Sequence, residues 1–455
     1  MGSAGTCAAE PGARTLHAMG SVVRRRSVLA VVVALLVVGC GSVEPSASTV
    51  ASDVPTPPPS LPSLVPSPSP APSVAPSAAP SVAPSATPSV APSPSPSPSV
   101  APSPSVAPSP SALPVAGAWR AASNQDLVRT TQFTDVVWTG KRFIAIGMAD
   151  AGGGAIFTSR DGITWRRQRH PATWWPWAIA AGSRGVVMVG YIGETAASWS
   201  SRDGRDWTVT KLPKGIGDDV TATDRGWLSV GGQIDYPCAS WCPSIRALAW
   251  TSPNGRRWTA VPRQASMSKA GFETAAAVGD GFIAGGAKGM RAALWSSPTG
   301  VIWTRIPGAT FGSRLGDGHI VSVTGIAAGH RVVVAVGMDA GQYDGMARAW
   351  WSADGRTWKA SKVEKARGGQ LFSVTVTERG FLAVGPSSGC RGGIWESASG
   401  RSWTCIGMAK RLAGFGPSAA ASSGTVEVVV GLTDAGWSED SPDGMPGAIF
   451  WRPLR

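Results

Sequence analysis

One phrase, Ser-x-Asp-Gly-x-x-Trp in its fullest form, returns along this chain and dictates most of what it can fold into. It reads SRDGITW ending at Trp165, SRDGRDW at Trp207, SPNGRRW at Trp258, SPTGVIW at Trp303, SADGRTW at Trp358 and SASGRSW at Trp403. Ahead of each copy stand two apolar runs joined by a turn and closed by glycine. This second phrase occurs seven times, ending at Gly147, Gly190, Gly231, Gly286, Gly337, Gly385 and Gly431. In the first unit FTDVVW and RFIAIG read as strands joined by TGKR, and AIFTS and TWRRQ as two more joined by SRDG. Four antiparallel strands in about 45 residues are the dimensions of a propeller blade.

The residue choices in the phrase answer to backbone geometry. Gly162, Gly204, Gly255, Gly300, Gly355 and Gly400 supply positive φ in a tight turn. The position before them is Asp161, Asp203, Asn254, Thr299, Asp354 or Ser399. All four residue types at these six positions can fold a side-chain oxygen onto nearby backbone N–H groups. A carboxylate used for chemistry would not survive as Asn, Thr and Ser, so this set is structural. The Trp of each phrase is expected to seal one blade against the next. So is the aromatic residue two positions before each Ser: Phe157, Trp199, Trp250, Trp295, Trp350 and Trp395. Much of the chain's Trp content is thereby assigned to core and not to a ligand.

The seventh unit stops at GAIFWRPLR, without the turn or an outer strand. The segment around Trp119 matches the strand that follows each phrase, and nothing strand-like precedes it. Trp119–Ala122 is therefore expected to supply the outer strand of the last blade and close the ring. The expectation is an all-β, seven-bladed propeller of four-stranded antiparallel blades over residues 116–455. These residues resemble the Asp-box (BNR) propellers: sialidases, sortilin-type receptor domains and photosystem-assembly propellers. The usual box, Ser-x-Asp-x-Gly-x-Thr-Trp, is one residue longer. The resemblance implies a fold and a ligand face opposite the boxes, and is poorly specific for function.

Ahead of the propeller the composition changes twice. Arg24, Arg25 and Arg26 precede an apolar run from Val28 to Gly39, about half the length of a membrane-spanning helix. The run ends in Leu36-Val37-Val38-Gly39-Cys40, which resembles a bacterial lipoprotein signal with its lipobox. The resemblance implies a signal peptide over residues 1–39, cleavage before Cys40 and lipid on the Cys40 sulfur. RRRSVL also loosely resembles a twin-arginine signal, so the export route stays open. Residues 40–115 are rich in Pro, Ser, Ala and Val, as in PSVAPSAAPSVAPS. They are expected to form a disordered, polyproline-like tether. An extracytoplasmic protein anchored at the cell membrane or envelope follows.

Charge and cysteine narrow the partners. The formal net charge is +13, but no run of Lys or Arg exceeds Arg24–Arg26. Nucleic acid is therefore not expected, and mild attraction to anionic envelope surfaces is. In an oxidising compartment the remaining even set, Cys238, Cys242, Cys390 and Cys405, reads as two disulfides. Local pairs are the simplest of the three connectivities. A zinc site is the rival, although His170, His319 and His330 lack ligand spacing to these cysteines. A monomer is expected.

The rim opposite the repeat turns is where a ligand is expected. All three Tyr of the chain fall in its loops, with scarce acidic residues. The candidates are Tyr191, Glu194, Tyr236, Trp241, Asp339, Tyr343, Asp344, Trp437 and Asp440. The inter-blade stretch RRQRHPATWWPW adds Trp174 and Trp175, beside arginines able to stack on them. No cofactor is expected, and no metal site beyond a Ca²⁺ that the acidic loop around Asp440 and Asp443 leaves open. The reading is a binding module for an envelope glycan or a protein partner. The alternative is a sialidase-like glycoside hydrolase using Tyr343 or Tyr191 with Glu194 or Asp344. Its diagnostic Arg-Ile-Pro belongs on an inner strand. The one match here, Arg305-Ile306-Pro307, follows a repeat Trp and reads as outer strand, so no catalytic set is assigned.

Overall fold

The computed structural model describes residues 115–455, apart from 150–151, 169–173, 194, 214, 236–243, 309–310, 312–319, 341–344, 408–413 and 434–445. The strands form seven sheets, antiparallel throughout except for one short edge strand. Blade one holds Thr131–Trp138, Phe143–Ala149, Gly154–Ser159 and Arg166–Arg167. Blade two begins with Trp175–Gly182, blade three with Ile216–Thr223, blade four with Ala270–Val278 and blade five with Ile320–Gly329. Ser373–Thr377 opens blade six and Phe415–Ser422 opens blade seven. These seven innermost strands touch in a closed cycle, each beside the next and the seventh beside the first.

The ring is closed as the repeat demanded. Arg120–Ala121 pairs with the third strand of blade seven, Arg120 opposite Trp451 and Ala121 opposite Phe450. Ala116 bridges Leu454 beside it. No blade-to-blade seam is left open, which is how this architecture limits exposed strand edges. The core follows the same cycle, because apolar side chains gather between blades. Phe133, Phe157 and Trp165 of blade one meet Val428, Val430 and Ile449 of blade seven. Equivalent clusters fill the seams from blades one and two round to blades six and seven.

The repeat turns are braced by the side chain that varies. Asp161 Oδ1 accepts the N–H groups of Ile163 and Thr164 at 2.8 and 2.9 Å, and Asn254 Oδ1 those of Arg256 and Arg257, both at 3.0 Å. Thr299 and Ser399 keep one such contact each, to Val301 and Arg401. The invariant Ser takes the glycine N–H, as Ser201 Oγ does from Gly204 at 2.9 Å. The glycine has a second reason besides positive φ. Each turn leans on the preceding blade, so a Cβ at Gly204 would lie 2.5 Å from Ile144 and one at Gly400 2.3 Å from Val334. Trp165, Trp258, Trp303, Trp358 and Trp403 donate their indole N–H to the carbonyl of their own turn glycine.

Blade six departs from the four-stranded expectation. Lys362–Val363 adds a fifth strand, parallel to Ser402–Cys405. A disulfide joins Cys390 to Cys405 in the same blade. Cys238 and Cys242 lie outside the described residues, as do Cys40 and the tether.

Candidate functional site

The seven glycines that close the apolar phrases position the innermost wall. Gly147 pairs with Phe133, Gly231 with Gly217 and Gly337 with Val323, and in each case the register then skips one residue of the inner strand. The same bulge follows Pro176, Phe272 and Pro417. A Cβ on any of the seven glycines would come within 1.9–2.3 Å of the carbonyl oxygen just before the partner residue. Only glycine lets the bulged backbone approach this closely. The extra residue breaks the alternation of the strand, so two consecutive side chains face the central channel. In blade three these are Asp218 and Asp219.

A cavity of about 200 Å³ occupies the channel at this level, and blades one to six all contribute to its wall. Asp135, Asp218, Asp219 and Glu273 line it together with Trp177, Thr324 and Phe372. Most of the polar wall is committed to joining blades. Asp135 accepts the N–H of Val136 on its own strand at 2.8 Å and that of Ile179 on blade two at 2.9 Å. Asp219 repeats the arrangement, with Val220 at 2.7 Å and Ala275 of blade four at 2.9 Å, and adds the Thr274 hydroxyl at 2.9 Å. Ser322 of blade five donates to Glu273, and Thr324 donates to the Leu371 carbonyl of blade six. Asp218 receives no hydrogen bond from another described residue. It is the carboxyl in this wall left for a ligand or for water.

Enclosure by protein raises the proton affinity of the wall. Burial lifts the Asp218 carboxyl well above the usual carboxylate range, and the charges of Glu273 and Asp219 add to it. Burial raises Asp219 to about 7 against its amide hydrogen bonds, and Glu273 to about 7 against the Ser322 hydroxyl. These side chains still border the cavity and are not fully covered. A raised folded-state value stabilises the protein below the unfolded value near 4 and loses that contribution as pH climbs through about 7. The turn carboxylates carry the opposite sign. Amide hydrogen bonds, led by Arg205 for Asp203 and Thr357 for Asp354, lower both, so their contribution is lost in acid. Stability is therefore expected to peak near pH 4, about the unfolded carboxylate value. The melting temperature should fall by about 5 °C between pH 5 and 8. Asp218→Asn should flatten that fall and raise the value at pH 8. A thermal-shift series over this range checks it, and a melting temperature that climbs steadily to pH 8 contradicts it.

Around the cavity the rim candidates divide. Tyr191 and Trp175 pair across blade two and stack, with ring centroids 6.2 Å apart and planes 14° from parallel. Both are half-buried, at the same end of the blade as Trp177. Trp174 is not on the rim surface. Its ring is 1% exposed and packs on Trp199 at 4.9 Å, filling the seam between blades one and two. Asp339 is likewise fully buried, held by Arg348 at 2.5 Å. The motif Arg305-Ile306-Pro307 has its Arg on the outer strand Thr304–Arg305 of blade four and its Ile buried. Glu194, Tyr236, Trp241, Tyr343, Asp344, Trp437, Asp440 and Asp443 lie outside the described residues. Among the described residues, no three His, Cys, Asp or Glu side chains are arranged to hold a metal ion.

No protein-family model matches the chain, and no curated protein sequence does. Among solved structures it is similar to a catalytically inactive virginiamycin B lyase from Staphylococcus aureus bound to quinupristin. That match has 9% identity and a TM-score of 0.47, over 73% of this chain and 97% of the lyase. The WD40 propeller domain of Doa1 matches at 11% identity and a TM-score of 0.42, over 75% of this chain and 97% of that one. A Trypanosoma rangeli sialidase in complex with the inhibitor DANA matches at 12% identity and a TM-score of 0.37. It covers 71% of this chain and 55% of the sialidase, so this chain spans about half the length of that enzyme.

Proposed function

We propose that this is an exported, lipid-anchored protein whose propeller is a binding module for an envelope glycan or a protein partner. The ligand is engaged at the channel mouth on the rim away from the repeat turns. One observation carries the reading: a closed ring holds Asp218, a carboxyl with no hydrogen bond from another described residue, in a cavity walled by acids and aromatics. Convergent polar groups beside aromatic surface in a preformed concavity are the usual make-up of a binding site. The Trp175–Tyr191 stack extends that surface to the rim. Lipidation at Cys40 and the tether through residue 115 would hold the module at the outer face of the membrane. The sialidase-type alternative needs arginines gripping a substrate carboxylate. The described lining of the cavity, with Asp135, Asp218, Asp219 and Glu273, offers no arginine for that grip.

A glycan array and a crosslinked pull-down from envelope extract test the reading with the full chain. Asp218→Asn and Tyr191→Ala should each weaken the captured ligand by about tenfold, as loss of one charged or aromatic anchor does. Equal capture by both variants and the parent overturns the channel-mouth assignment. Turnover of a fluorogenic sialoside that disappears with Tyr191→Ala would favour the hydrolase instead.

A further inference from the structure

The end of the ring opposite the channel mouth has its own surface chemistry. It is built by the repeat turns and by the turns joining the first two strands of each blade. Exposed Lys and Arg side chains outnumber Asp and Glu in these turns. The excess is densest on blades two and three, at Arg184, Arg202, Arg205, Arg225, Arg256 and Arg257. These turns form one continuous patch, because Arg184 donates to the carbonyls of Asp224 and Pro253 across them, both at 3.1 Å. Acid is present here too, but the exposed Asp203, Asp206 and Asp224 are three against these six arginines.

The chain also joins the propeller at this end. Each third strand runs toward it, and in blades one to six continues into a repeat turn. In blade seven the third strand ends there instead, with Leu454 bridged to Ala116 and Arg455 accepting a hydrogen bond from Val115. The segment carrying Cys40 therefore meets the folded domain on its basic face.

We propose that this basic face docks on an anionic phospholipid surface. Basic side chains near the headgroups are attracted electrostatically to such a surface. A lipid-anchored tether would supply the high local concentration that makes so weak a contact productive. Docked this way, the channel mouth points away from the bilayer, toward whatever the module captures. The charge and the point of attachment are properties of the folded domain, and the docking does not depend on what the channel binds.

The test uses the full chain with Cys40→Ser, so that no lipid anchors it, and sedimentation with vesicles. One set is equal parts phosphatidylglycerol and phosphatidylcholine, the other phosphatidylcholine alone. Binding is expected to the anionic vesicles only, and to weaken at least ~10-fold from 50 to 300 mM salt. Arg202→Gln, Arg205→Gln and Arg257→Gln together should weaken it at least ~10-fold. Lys269→Gln, Lys288→Gln and Arg291→Gln, on blade four at the rim end, should change it less than ~2-fold. Near-UV circular dichroism confirms that both triple variants are folded. Absence of binding to anionic vesicles overturns the proposal. Equal loss in both triple variants overturns it in favour of diffuse net charge, and binding to soluble polyphosphate without binding to vesicles overturns the lipid assignment. Because capture by the rim is measured separately, failure here leaves the channel-mouth reading standing, and the reverse holds.

Discussion

Arg452→Met should cost about 3–5 kcal/mol of folding stability, the penalty for leaving a buried charge without its partner. Arg452 lies under the seam where the ring closes. Its side chain is 5% exposed and donates to Glu427 through Nε at 2.6 Å, while a terminal nitrogen meets Glu396 and Glu427. The guanidinium stacks on Trp119, 4.6 Å from the ring centroid, and so ties the last strand to the segment that enters first. Burial already raises the Glu427 carboxyl above its ordinary value, with Arg452 pulling it back down. Without that cation Glu427 must take up a proton or remain charged in the core. The double variant Glu427→Leu with Arg452→Met should recover more than half of the loss, because it removes the orphaned charge as well. Guanidinium unfolding of the parent, both singles and the double measures the cycle. A single-variant loss below 1 kcal/mol would show that the seam does not depend on this pair.

Gly337→Ala should be nearly as damaging, at about 3 kcal/mol, from a single added methyl group. The Cβ would lie 1.9 Å from the Ser322 carbonyl oxygen, and a backbone atom at a bulge cannot rotate aside as a side-chain tip can. Relief requires the inner strand of blade five to move, and Thr324, two residues on, is bonded to blade six. Gly416→Ala provides the control. It also sits in an inner strand, yet its nearest neighbour to an added Cβ is Pro386 at 3.9 Å. That substitution should stay within about 0.5 kcal/mol. Similar melting temperatures for the two variants would mean that the bulge is not a packing constraint.

The legible parts of this fold are those where one residue type answers one local demand. Positive φ needs Gly204 or Gly400, a seam needs Trp165 or Trp295, and each recurs, so blades could be counted and Trp119 assigned to the last of them. Lys362–Val363 was not legible because two residues carry no pattern, and their strand exists only through its neighbour Ser402–Cys405. The channel wall was hidden for a different reason. In a regular strand Asp218 and Asp219 would point to opposite faces, and an acidic pair in an apolar run looks like a solvated edge. The bulge turns both inward, and its other occupants, Thr134, Trp177, Glu273 and Thr324, follow no single residue type that would mark the position. The constant element was the glycine across from them, read only as the end of a strand. Trp174 misled in the other direction, since polar neighbours in sequence suggested a rim while its ring fills a seam.

Closure by the segment around Trp119 also sets an order on biosynthesis. The residues that finish the last blade emerge from the ribosome before any of the other strands and wait without a partner until Phe450 and Trp451 arrive. A product truncated at any blade would expose an unfinished apolar wedge at each end of the arc. The architecture thus makes the arrival of Phe450 and Trp451 a condition for hiding that surface.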